Sequence, residues 1–216
     1  MRFADRTDAG KRLAEQLRSL GLSEPVVLAL PRGGVPVAFE VATALGSPLE
    51  VFVARKIGAP GQPERGIGAI AEAGGQAVDH HALHILGLSS QHFQTMVAGE
   101  RLELERRVRR YRSGRPLPSL TRRDVVLVDD GLATGVTAEA ALHALRSQRP
   151  RRLVLAVPVC ASATAARLQA MADEVVCVLS PSDFHAVGLW YDDFEQTTDA
   201  EVLDLLERAT GTSTRK

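Results

Sequence analysis

The residues best suited to chemistry lie in one run, Val125 to Thr137, VVLVDDGLATGVT. An apolar stretch ends there in two adjacent carboxylates, Asp129 and Asp130. Five residues containing two glycines follow, and then a helical pattern. In an open α/β sheet, ligands bind beyond the carboxyl ends of the strands. The loop from Gly131 to Gly135 can turn several backbone N–H groups toward one point, and the next helix adds its positive end. Thr134 and Thr137 add hydroxyl donors. The carboxylates would repel a phosphate but accept hydrogen bonds from neutral sugar hydroxyls. An acid pair beside an anion nest describes a phosphorylated sugar. No Gly-Lys-Ser/Thr of a P-loop and no G-x-G-x-x-G dinucleotide fingerprint is present. A lone Asp-Asp more often only caps the following helix, but here the whole run is in register.

Three other stretches carry candidate chemistry. Pro31-Arg32-Gly33-Gly34 follows an apolar run and precedes a helical one. Arg32 offers a fixed forked charge, and the glycines let backbone N–H groups approach an oxyanion closely. Arg55-Lys56-Ile57-Gly58 opens the segment RKIGAPGQPERGIG, which holds four glycines and two prolines as well as Glu64 and Arg65. That composition predicts a mobile loop without a regular element, whose closure would exclude water from a reactive glycosyl centre. Near the C-terminus, FHAVGLWYDDF concentrates aromatic residues in a chain that has only 4% of them. One ring can stack on a planar base, or the group forms a small satellite core.

The elements that must position these residues alternate as in a parallel sheet covered by helices. Helices are expected over Asp5–Leu20, Val35–Leu45, Ser90–Arg112, Ala138–Ser147, Ala163–Ala172 and Asp199–Ala209. Strands are expected over Val26–Leu30, Leu49–Ala54, Ala69–Ala73, Val125–Val128, Leu153–Val159 and Glu174–Leu179. Arg106, Arg107, Arg109, Arg110, Arg112 and Arg115 cluster late in the long helix. Glu100, Glu103 and Glu105 stand at spacings that predict pairing along a solvated face.

The VVLVDDGLATGVT run resembles the binding motif of the type I phosphoribosyltransferases: apolar residues, two acids, a short spacer, then Ala/Ser/Thr-Thr-Gly and Thr. The resemblance implies that Asp129 and Asp130 hold the ribose hydroxyls during catalysis. It also implies that Ala133, Thr134, Gly135, Val136 and Thr137 hold the 5′-phosphate of phosphoribosyl pyrophosphate. PRGG resembles the family's pyrophosphate loop, so Arg32, Gly33 and Gly34, with Arg55 and Lys56, are the implied pyrophosphate ligands. A cis peptide is expected near Pro31–Arg32. Arg-Lys-x-Gly followed by a glutamate resembles the adenine phosphoribosyltransferases, which implies catalytic roles for Lys56 and for Glu64, the latter offset by a couple of residues. Phe-x-x-Val-Gly with its following acids resembles the hood of the 6-oxopurine enzymes. That likeness implies a base pocket of Phe184, Val187, Trp190 and Tyr191, with Asp192 and Asp193 near Mg2+.

Two departures make the chain a mixture. Ala133 stands where 6-oxopurine enzymes carry an aspartate that accepts the purine proton, and no lysine follows Leu153–Val159. PRGG, RKIGAPGQPERGIGAIAE and VGLWYDDF together resemble a separate bacterial branch of predicted phosphoribosyltransferases.

The expected fold is α/β, an open, mostly parallel twisted sheet flanked by helices, with a small C-terminal hood over about 180–198. One domain is expected over 1–216, with the mobile loop at about 56–68 and a helical insertion at about 88–115. The implied reaction transfers the 5-phosphoribosyl group from phosphoribosyl pyrophosphate to a nitrogenous small-molecule acceptor, a purine-like base being one candidate, and releases pyrophosphate. A non-catalytic regulator that senses phosphoribosyl pyrophosphate or a nucleotide is the alternative on the same fold.

Composition bounds the remaining classes. The 216 residues include 26 Lys+Arg and 26 Asp+Glu, so no global field draws in nucleic acid or an anionic membrane. The two cysteines, Cys160 and Cys177, stand far apart in apolar runs and read as free thiols. No run reaches the length of a membrane span. A cytoplasmic homodimer is expected, with neither membrane nor nucleic acid as partner.

Overall fold

The computed structural model describes residues 2–213, apart from the side chains of Glu64, Thr212 and Ser213. Among these residues no helix is long and apolar enough to cross a membrane. The chain begins with α1 (Arg6–Arg18), where the Asp5 side chain caps the helix by accepting from the Asp8 amide. Next come β1 (Val26–Ala29), α2 (Gly34–Leu45) and β2 (Leu49–Val51). A second, smaller unit follows: β3 (Ala54–Ala59), β4 (Gln62–Ala71), β5 (Gln76–Val78), α3 (His80–Ile85) and the long α4 (Ser90–Arg112). The chain then returns through β6 (Asp124–Val128), α5 (Val136–Ser147), β7 (Arg152–Val159), α6 (Ser162–Leu168), β8 (Glu174–Leu179) and α7 (Asp199–Ser213).

Five strands form a wholly parallel sheet in the order β2-β1-β6-β7-β8. Its central strands are apolar on both faces because helices cover both. Val27, Ala29, Val126 and Val128 pack toward α1, α2 and α7. Val26, Leu28, Val125 and Leu127 pack toward α5. The alternation is the period of two that a strand imposes. From β1 the chain moves outward to β2, and from β6 it moves the other way to β7. The switch point therefore lies between β1 and β6, where such sheets open a crevice for ligands.

The expected mobile loop is instead an antiparallel hairpin, β3 with β4, extended by β5. Ala59 pairs with Gln62, so Pro60-Gly61 is a two-residue turn with Gly61 at φ +72°. Proline presets the first turn position and glycine accepts the left-handed second one. The remaining glycines serve an irregular register: a Cβ at Gly58 would stand 2.7 Å from Pro63 Cα. The expected Leu49–Ala54 strand divides between the two sheets. Phe52 still bonds to Ala29 O, but Val53 already bonds to Glu72, in the turn that follows β4.

Candidate active site

The two central strands deliver the two candidate loops side by side. Ala29 of β1 pairs with Val128 of β6, which sets the Pro31–Gly34 turn beside Asp129 and Asp130. The Pro31–Arg32 peptide is cis. A Cβ at Gly33 would collide with the Asp130 carboxylate, and one at Gly34 would stand 2.8 Å from Val128 O. Glycine is required at both positions because the start of α2 lies directly on the acid pair. The crevice there has a volume of about 360 Å3 and is lined by Arg6, Arg32, Gly33, Asp130 and Phe194, among others.

Both acids are half-buried. Burial and the charge of its neighbour push the Asp129 carboxyl well above the usual carboxylate range. Burial also raises Asp130, but the charge and hydrogen bond of Arg6 oppose it. Arg6 Nε donates to Asp130 Oδ2 at 2.8 Å. The Asp130 amide donates to Asp129 Oδ1 at 2.9 Å, and Tyr191 Oη donates to Asp130 O at 2.5 Å.

The loop after the acids is tied down from behind. Leu132 N donates to Val159 O, and Ala161 N donates to Leu132 O. Thr164 Oγ1 donates to Ala133 O at 2.5 Å, and Arg167 Nη2 donates to Thr134 O at 2.5 Å. Gly135, at φ +67° in the left-handed region, is the residue before α5 and supplies no side-chain cap. The first-turn amides of α5 therefore meet the solvent side as an uncapped positive end. Ala133 and Thr134 are exposed, while Val136 and Thr137 are half-buried.

The hairpin abuts this loop. A Cβ at Gly66 would stand 3.2 Å from Lys56 Cδ and 3.7 Å from Val136 Cγ1, so the Lys56 stem lies near the start of α5. Between the hairpin and the loop is a cleft of about 440 Å3 lined by Gly66, His80, Thr134, Val136 and Arg167, among others. Arg55 turns to α4, where its Nη2 pairs with Glu100 Oε2 at 2.5 Å. Glu64 belongs to β4, but its side chain lies outside the described residues.

Arg32 faces Asp199 at the start of α7, Nη1 to Oδ1 at 4.0 Å. Asp199 also accepts from Tyr111 Oη at 2.5 Å and pairs with Arg110 at 2.9 Å. The tyrosine hydrogen bond, with Arg110, Arg32 and Arg107 nearby, holds its carboxyl below the usual range. Burial and the Asp199 contact push the Tyr111 hydroxyl up to about 12.

The hood departs from expectation at Tyr191. This ring is buried, 1% exposed, in a small cluster with Phe3, Ala9 and Val159, and it packs on Phe3 and Phe194 at centroid distances of 5.3 and 4.9 Å. It does not line a base pocket, because the N-terminal Phe3 pairs with it along a short bridge. Phe184 and Trp190 are half-buried and stack on each other, centroids 6.4 Å apart. Val187 packs over Gly131, where a Cβ would stand 3.0 Å from Val159 Cγ1.

Asp192 is exposed and pairs with Arg2 at 3.3 Å, and the Asp193 carboxylate accepts from the Glu195 amide. Among the described residues no group of three or more His, Cys, Asp or Glu gathers as a metal cage. Mg2+ characteristically binds to one or two carboxylates together with substrate phosphates, and the hard oxygens of Asp129 and Asp130 suit that manner of binding.

Arg6, Thr164, Arg167 and Asp199 are not expected from the sequence. Arg6 and Asp130 are 124 positions apart, and no local spacing links them.

A Mycobacterium tuberculosis H37Rv protein that carries a provisional phosphoribosyl transferase name, Rv0571c, is 46% identical over 207 residues, covering 96% of this chain and 47% of its own length. The chain thus spans about half the length of the curated relatives it matches. The crystal structure of TT1426 from Thermus thermophilus is 48% identical with a TM-score of 0.81, covering 96% of this chain and 99% of that one. A Neisseria gonorrhoeae hypothetical protein with bound ppGpp shares the fold alone, at 16% identity and a TM-score of 0.52 over 96% of this chain and 98% of its own. The family model for the phosphoribosyl transferase domain matches residues 4–193, and the chain belongs to that family.

Proposed function

We propose that this chain is a phosphoribosyltransferase that transfers the 5-phosphoribosyl group of phosphoribosyl pyrophosphate to a nitrogenous acceptor and releases pyrophosphate. The observation that carries this reading is the crevice at the β1–β6 switch point. There Asp130 and the Arg32–Gly33 turn line one crevice, and the uncapped start of α5, which follows the acid pair in the chain, borders a second cleft beside the hairpin. The α5 end suits the 5′-phosphate, held by Ala133 through Thr137. Asp129 and Asp130 suit the ribose hydroxyls. Arg32 and the Gly33–Gly34 backbone suit the pyrophosphate, with Lys56 reaching in from the hairpin.

Catalysis in such a site rests on positioning and on charge stabilisation as the C1–O bond to pyrophosphate breaks and the acceptor nitrogen bonds to C1. Mg2+, when bound, would neutralise charge building on the leaving pyrophosphate, with Asp129 and Asp130 as the protein's oxygen donors. Phe184, Val187 and Trp190 stand at the hood, where an acceptor would approach. A role for Glu64 as its proton acceptor, a homodimeric assembly and a cytoplasmic setting belong to the same proposal.

Pyrophosphate release from phosphoribosyl pyrophosphate, measured across a panel of bases and small amines, tests the reading. Release with at least one acceptor is expected, and Asp130→Asn should lower it by orders of magnitude with the fold intact. Tight binding of phosphoribosyl pyrophosphate without release for any acceptor would instead favour a sensor on the same fold. Full activity of Asp130→Asn would remove the acid pair from the mechanism.

A further inference from the structure

The acid pair is held by a residue from the other end of the chain. Arg6 is the first residue of α1, and its side chain crosses to the carboxyl end of β6. Nε donates to Asp130 Oδ2 at 2.8 Å, with the two side chains only 12% and 15% exposed. The guanidinium lies over the Phe194 ring, Cζ 3.9 Å from the centroid, and Nη1 donates to Glu195 O at 2.7 Å. A Cβ at Gly33 would stand 3.3 Å from Arg6 Nε. The hood ring, a hood carbonyl and the acid itself therefore fix the guanidinium plane, and the glycine turn closes in beside it.

An exposed ion pair with these partners would contribute little. This one is largely out of solvent, and charge-assisted hydrogen bonds there are short and directional. It also ends on one member of a crowded pair. Asp129 Oδ1 accepts from the Asp130 amide, and the Arg6 bond sets which way the Asp130 carboxylate faces.

We propose that Arg6 is a positioning residue of the sugar site, holding the Asp130 carboxylate in one orientation as the acceptor for a ribose hydroxyl. The proposal rests on the phosphoribosyl pyrophosphate reading above. It adds that the N-terminal helix and the C-terminal hood jointly set the acid pair through one side chain. Arg6 touches Asp130 and not the reacting atoms, so its effect should be selective for ligands that carry the ribose.

Titration calorimetry with phosphoribosyl pyrophosphate, ribose 5-phosphate and inorganic pyrophosphate, each with Mg2+, tests this on the native chain, Arg6→Gln and Arg6→Lys. Arg6→Gln puts an amide donor at the position of Nε but removes the charge and the outer guanidinium. It should weaken both sugar ligands about tenfold to a hundredfold, the range for a hydrogen bond to a charged group, and weaken pyrophosphate, whose proposed turn Arg6 also borders, by clearly less. Arg6→Lys, which restores the charge without the planar fork, should recover most of that loss and fold as the native chain does. Equal affinity of Arg6→Gln and the native chain for the sugar ligands overturns the proposal. So does an equal loss of pyrophosphate affinity, which marks a merely structural role, or a failure of Arg6→Lys to recover. A native chain that binds neither sugar ligand overturns the donor reading itself, and this inference with it, before any variant is compared.

Discussion

At the scale of single residues, the site stores an electrostatic cost that should be measurable as stability. Asp129 is half-buried, and both burial and the Asp130 charge raise its carboxyl above the unfolded value of about 3.9. A group whose folded pKa is raised contributes its full stability below the unfolded value and loses it as pH rises through the folded one. Near pH 7 the native chain thus carries a penalty that a neutral isostere would not. Asp129→Asn keeps an oxygen to accept from the Asp130 amide. The variant should melt at a higher temperature than the native chain at pH 7, with the gap closing as pH falls toward 3. Each unit of pKa elevation corresponds to about 1.4 kcal/mol, or roughly 3–6 °C for a chain of this size. Sugar-phosphate binding should fall at the same time, the usual exchange of stability against a functional site. An Asp129→Asn variant that melts below the native chain at every pH would mean that the charge is better satisfied than its surroundings imply.

At the scale of elements, the long α4 is fastened to the hairpin unit by a buried ion pair that surface patterning could not reveal. Arg112, its last residue, pairs with Glu72; the two side chains are 5% and 8% exposed. Glu72 Oε1 also accepts from the Val53 amide at 2.7 Å, while Arg112 Nε and Nη1 lack hydrogen-bond partners among the described residues. Breaking such a pair from one side leaves an uncompensated charge and costs about 3–5 kcal/mol, whereas replacing both partners with apolar side chains is close to neutral. Glu72→Ala should therefore lower the urea midpoint by that equivalent, and Glu72→Leu combined with Arg112→Met should restore most of it. A single-variant cost below about 1 kcal/mol would show the pair to be solvated through breathing of the helix end. The other arginines of α4 follow the spacing seen in the sequence: Arg106 and Arg107 both bond Glu103, whose carboxyl is held down to about 2 by those contacts. The strands of the parallel sheet and the Ser90–Arg112 helix are legible because a buried strand and an amphipathic helix have sharp periods. The hairpin is not, because composition counts its glycines and prolines without regard to their positions. Those positions matter more: Pro60-Gly61 is a turn, and Gly58 and Gly66 face each other across a register shift. Tyr191 escapes a local reading for a related reason. Its partner Phe3 lies 188 positions away, and local aromatic density cannot tell a stacking platform from a small core.

At the scale of the whole molecule, the neutral chain attracts anions only where the fold concentrates donors, so ligand binding should report which loops act together. The start of α5 and the Arg32–Gly34 turn belong to different βα units, joined only because β1 and β6 are neighbours in the sheet. A donor that carries phosphate at one end and pyrophosphate at the other would engage both units, and either fragment alone would engage one. Ligand present at about 100 times its dissociation constant adds about 2.7 kcal/mol to folding stability, which is roughly 5–11 °C for a chain of this length. At one fixed concentration with Mg2+, phosphoribosyl pyrophosphate should raise the melting temperature by more than ribose 5-phosphate or pyrophosphate does. Its shift should also shrink toward that of ribose 5-phosphate in Arg32→Ala. The Arg32 ion pair with Asp199 is long, at 4.0 Å, so removing the side chain should cost little stability in the absence of ligand. If the full donor and ribose 5-phosphate shift the native chain equally, the β1 turn is not the pyrophosphate site, and the cis Pro31–Arg32 loop must serve the acid pair instead.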